Sequence, residues 1–184
     1  MNAIASLFVR AKHWQLFVLS LTLALVELFV LRPPSSAVVV RGGVTALDIL
    51  FLLAWLWSVG SFLNSIVQPS LRLNMSLFYF TLTIPLLYAA FSLVQSENSL
   101  PAVVRITLQV LVAVCAIYDI GFVADSLVRA ETDKPASFSD LAPLSLLIWL
   151  YVLGVWFVQP RINRLYAART KPPTPGQPVG QRAI

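Results

Sequence analysis

Three charged residues lie inside the apolar stretch from Val103 to Leu127, VVRITLQVLVAVCAIYDIGFVADSL: Arg105, Asp119 and Asp125. Ionisable groups among Val, Leu, Ile and Phe have two uses. They hold and release a proton or a cation, or they pair and fix one helix against another. At 3.6 residues per turn, Arg105, Gln109, Val112, Ala116 and Asp119 share one helical face. Glu27, late in one apolar run, and Asp48, early in the next, are acids of the same kind. Glu27, Asp48, Arg105 and Asp119 are the candidate charge network. Arg105 is expected to pair with Glu27 or Asp48. Asp119 and Asp125 look toward Arg10, Lys12, Arg72 and Arg129. In a carrier or channel, Asp119 and Glu27 would be the exchangeable sites. The pairing role is favoured, because charges near an interface cost less and can snorkel.

Other chemistry has few residues to work with. The single His13 excludes a bis-histidine haem and any multi-histidine metal cluster within one chain. It precedes an apolar run, where an amphipathic ring suits the lipid–water boundary. The single Cys115 excludes an intramolecular disulfide and reads as a small core residue. Phosphate loops, nucleophile–base pairs and metal-ligand spacings are absent from the sequence. No catalytic, cofactor or metal site is expected, and the chain reads as non-enzymatic.

The elements that must position these charges follow from composition. Of 184 residues, 58% are hydrophobic and only 11% charged, with a mean hydropathy of +0.81. A soluble domain carries about 25% charged residues. So apolar a chain cannot cover itself with polar groups, and lipid is its solvent. The fold expected is all-α: an integral membrane helical bundle of five transmembrane helices, near 14–31, 44–67, 73–95, 103–127 and 141–159. The fourth should sit near the centre, since a charge facing lipid costs roughly 2.5–3.5 kcal/mol. The first run is longer than a signal-peptide core and reads as a retained span. Ala54, Ser58, Ser61 and Ser65 make a small-residue stripe that lets helices approach closely. Trp55 and Trp57, in the middle of their run, read as packing residues. Pro85 lies inside the third run and frees the Thr81 carbonyl. Ser139 or Asp140 is the expected cap of the fifth helix, and Gln159-Pro160-Arg161 its expected end. Residues 166–184 form a basic, Pro- and Gly-rich tail with the composition of disorder.

The net charge of +5 does not point to nucleic acid, because the basic residues sit between and beyond the apolar runs. They read as determinants of orientation, and the basic tail favours a cytoplasmic C-terminus. Arg10 and Lys12 favour a cytoplasmic N-terminus as well, which five crossings forbid. Either one end overrides the rule, or one segment lies at the interface or re-enters.

Three blocks stand out: Lys12-His13-Trp14-Gln15-Leu16-Phe17; Trp55-Leu56-Trp57-Ser58-Val59-Gly60 with Ser61-Phe62-Leu63-Asn64; and Phe138-Ser139-Asp140 followed by Trp149 and Gly154-Val155-Trp156-Phe157-Val158-Gln159-Pro160-Arg161-Ile162-Asn163. In these the chain resembles a group of small, uncharacterised bacterial integral membrane proteins. Leu144 to Leu153 departs from the pattern in having no acid and no proline. The resemblance implies a multi-pass inner-membrane protein and brings no activity or site residues. The expected function is structural or accessory, in a membrane complex or homo-oligomer. The partners are the bilayer and another membrane protein or a second copy. A small transporter or channel is the alternative.

Overall fold

The computed structural model describes residues 8–9, 11–26, 38–94 and 100–170, and all regular structure among them is helical. In chain order these are α1 (His13–Leu25), α2 (Val38–Ile66), a 3-10 turn (Pro69–Leu71), α3 (Met75–Val94), α4 (Ala102–Thr132), α5 (Phe138–Trp149) and α6 (Tyr151–Thr170). Among the described residues, two helices are long and apolar enough to cross a membrane, Ala46–Ile66 within α2 and the whole of α4. The bent α5–α6 pair makes a third if counted as one span.

Helices α2, α3 and α4 pack on one another, α5 packs on α4 and α6, and α6 packs on α1. The tightest approach uses a glycine. A Cβ on Gly60 would lie 2.7 Å from the Phe78 ring of α3. That ring stacks on Phe122 of α4, with centroids 4.2 Å apart and planes 12° apart. Trp55, Leu63, Phe78, Val123 and Leu127 are fully buried around this contact. Ile148, Val155, Val158 and Ile162 extend the core between α5 and α6. The outward face of α4 is apolar instead, with Val103, Val110, Val114 and Ile117 each more than half exposed.

Three expectations about boundaries are corrected. Helix α2 starts at Val38 and runs through Gly42-Gly43, where a loop was expected. The segment 141–159 is not one straight helix. It breaks at Leu150 (φ −78°, ψ 49°), and the flanking helices are bent by 119°. The Leu150 carbonyl accepts the N–H groups of both Leu153 and Gly154 at 2.8 Å, so the break keeps its backbone bonded. A Cβ on Gly154 would stand 1.6 Å from the Leu147 carbonyl oxygen, so only glycine permits this close return. Helix α6 then passes through Pro160 and continues to Thr170, so Gln159-Pro160-Arg161 does not end it. Proline there removes one backbone donor, while the side chains on either side of it are tied to neighbouring elements.

Local chemistry sets the α4–α5 connection. Helix α4 ends on Asp133 in the left-handed region (φ 52°), a conformation that a short polar side chain tolerates. The N-cap of α5 is Ser137, not Ser139 or Asp140. Its N–H and Oγ donate to the Asp140 carboxylate at 3.2 and 2.5 Å.

Candidate functional site

Asp119 is fully buried in the middle of α4. Its Oδ1 accepts the Thr81 hydroxyl of α3 at 2.5 Å. Its Oδ2 is buried with no hydrogen-bond partner. The Thr81 oxygen also lies 3.0 Å from the carbonyls of Leu77 and Phe78, and its one hydrogen is shared among three acceptors. Sequence spacing placed Asp119 on the inward face of α4, and Thr81 is the partner that spacing did not supply.

Arg105 is half-buried near the start of α4, roughly 21 Å along the helix from Asp119. Among the described residues no ion pair reaches Arg105, the expected partner of Glu27 or Asp48. Asp48 is half-buried in α2. Glu27 and Arg10 lie outside the described residues, as does the side chain of His13. Asp125 meets Arg129, one of its expected partners, through two bonds of 2.6 and 2.9 Å. The small-residue stripe is divided. Ser58 is buried, Ala54 and Ser61 are half-buried and Ser65 is exposed. The Ser61 and Tyr79 hydroxyls lie 3.3 Å apart. Cys115 is buried, one turn from Asp119.

A second polar centre surrounds Gln159 of α6, which is fully buried. Its Oε1 accepts the Trp55 indole N–H of α2 at 3.1 Å. Its Nε2 faces the carbonyls of Phe8 at 3.0 Å and Ala11 at 3.2 Å, and the Asn163 Oδ1 at 3.2 Å. The Asn163 amide donates to the Ala11 carbonyl at 3.3 Å. Two side-chain amides thus hold the segment before α1 against α6 and α2. At the head of α1, Gln15 Oε1 accepts the Lys12 N–H at 3.0 Å.

A third set of contacts closes the end of α2. The last carbonyls of a helix lack intrahelical partners. Arg72 donates to the carbonyls of Ser65 and Val67 at 3.1 Å each. Arg169 of α6 donates to that of Ile66 at 2.9 Å. Both guanidinium groups also suit the negative end of the helix dipole. The Asn64 amide exchanges two bonds with the backbone of Leu73, at 3.1 and 2.9 Å. Arg129 reaches from α4 to the Leu71 carbonyl at 2.9 Å. Arg161 of α6 forms a two-bonded ion pair with Glu131 at the last turn of α4. The α2–α3 turn, the end of α4 and the second half of α6 are thereby fastened together.

Chemically, this arrangement fastens helices. Nearly every donor in it points at a backbone carbonyl or a carboxylate of the same chain. Asp119 Oδ2 is one buried exception, an acceptor with capacity to spare, and the Ser126 hydroxyl is another. Reading by charge alone missed Gln159 and Asn64, which carry none. The signal was the presence of amides at the ends of otherwise apolar runs, where an unpaired amide is costly. No family model, no curated protein and no solved structure matches the chain.

Proposed function

We propose that this chain is a multi-pass helical membrane protein with a non-enzymatic, structural or accessory role, associating with itself or with a larger membrane complex. The observation that carries the reading is the direction of its polar side chains. Gln159, Asn163, Asn64, Arg72, Arg129, Arg161 and Arg169 all spend their hydrogen bonds inside the chain, while apolar side chains face outward. Helices associate in lipid through such packing and hydrogen bonds, because lipid is as apolar as the side chains. Besides α2 and α4, α3 has 20 residues, which span about 30 Å, the thickness of a hydrocarbon core. Five apolar segments therefore enter the bilayer, and that of a bacterial inner membrane suits the basic loops. The groove between α3 and α4, of about 360 Å³ and lined by Ile84, Leu87, Phe91, Leu108 and Leu111, is apolar. That chemistry suits acyl chains or another helix and does not suit a hydrated solute.

One observation favours the alternative, a small transporter or channel: Asp119 is a buried acid with an unpartnered oxygen at membrane depth. Purification in mild detergent, with mass spectrometry of the intact assemblies, separates the two. Stoichiometric partners or a discrete homo-oligomer support the accessory role. A monomer whose melting temperature rises with one added solute, and no longer rises in Asp119→Asn, supports transport.

A further inference from the structure

We propose that α5 and α6 form a re-entrant pair. The chain enters the bilayer through the first turn of α5, whose start stays at the aqueous boundary, turns at Leu150 and leaves on the side where it entered. Helices α1 to α4 are then the crossing elements, and the start of α1 and the end of α6 lie on one side. This rests on the membrane reading above and fixes its topology.

Five contacts set the direction of α6 against α2. The Tyr151 ring meets Phe51 and Trp55, with centroids 6.2 and 5.6 Å apart. Gln159 bonds to Trp55. The Tyr166 ring meets Phe62 at 5.6 Å. Arg169 bonds to the Ile66 carbonyl. Position numbers rise together along both helices, so α6 runs parallel to α2 and finishes where α2 finishes. The Arg161–Glu131 pair reports the same from α4, whose last turn lies at that end. Helix α5 also begins there, because only residues 133–137 separate it from α4. A straight fifth crossing would place Arg161 and Glu131 on opposite faces of the bilayer, about 30 Å apart. The contact between them excludes that arrangement.

The bilayer tolerates such a turn. Twelve residues carry α5 about 18 Å inward, past the middle of the core. The Leu150 carbonyl takes two N–H groups at the break, and internal bonding of this kind is what lipid demands of irregular backbone. Gly154 allows the arms to close on each other.

Re-entry also removes the conflict between the two basic ends of the sequence. Lys12, Arg72, Arg129 and Lys134 now share a side with Arg161, Arg164 and Arg169. The positive-inside rule then makes that side cytoplasmic.

The test uses the full chain in a Cys115→Ala background with single cysteines: Ser70→Cys, Ser139→Cys, Ala168→Cys and Ala102→Cys. All four positions are exposed. Each is labelled with a membrane-impermeant maleimide in bacterial spheroplasts and in inverted inner-membrane vesicles. Ser70→Cys, Ser139→Cys and Ala168→Cys should label at least tenfold more in the inverted vesicles, and Ala102→Cys in the spheroplasts. Ala168→Cys labelling together with Ala102→Cys, against the other two, overturns the re-entrant pair and restores a fifth crossing. Equal labelling of all four in both preparations overturns the membrane reading itself.

Discussion

Among single residues, Gln159 and Asp119 make opposite predictions. Gln159 satisfies the Trp55 indole and two backbone carbonyls at once. Gln159→Leu strands those groups away from water, at about 1–3 kcal/mol for each buried group left unpaired. Thermal unfolding in detergent should show a large loss, and hydrogen exchange should rise first in residues 8–12. Asp119 is different, although it is equally buried. Thr81 has two carbonyls to fall back on when the carboxylate is removed. Replacing a buried charge by an apolar side chain of similar volume is often neutral or stabilising. Asp119→Leu should therefore change the stability by less than about 1 kcal/mol in the same assay. A loss several times larger would show that α3 and α4 depend on this carboxylate to stay together.

Glycines separate the straight helix from the broken one at the scale of the element. Gly121 lies inside α4, and a Cβ there meets nothing within 4 Å. Gly121→Ala should stabilise by about 0.5–1 kcal/mol, the ordinary gain in a helix interior. Gly154→Ala should do the reverse, because its Cβ would collide with the Leu147 carbonyl. Paired melting curves of the two variants check the signs, and a gain at Gly154 would mean that the arms of the α5–α6 pair are not this close. Element boundaries also show how far the sequence could be read. Apolar runs located α2, α3 and α4, because run length and charge exclusion are one-dimensional properties. The break at Leu150 was hidden, since Leu144 to Leu153 contains no proline and no charge. Pro160, the residue that looked like a terminator, lies inside a helix. A glycine marked the turn, and glycine inside an apolar run has several meanings until the opposing carbonyl is known. The charge network was legible in part. Helical period put Asp119 on a face that is buried, but its partner is not one of the expected arginines or lysines; it is the Thr81 hydroxyl of another helix.

The whole molecule is a set of apolar helices fastened at one end by polar side chains. Arg72, Arg129, Arg169 and Asn64 secure the α2–α3 turn, and Arg161–Glu131 ties α6 to α4. The re-entrant topology requires α6 to return to the end where α4 finishes, and a cross-link between the two helices probes that return. In the Cys115→Ala background, Glu131→Cys and Arg161→Cys are combined and treated in membranes with a short bismaleimide. The account predicts an efficient intramolecular link, seen as a shift in gel mobility that either single cysteine fails to give. A doubly reactive protein that forms no link, with each cysteine labelled from a different side of the membrane, would contradict it.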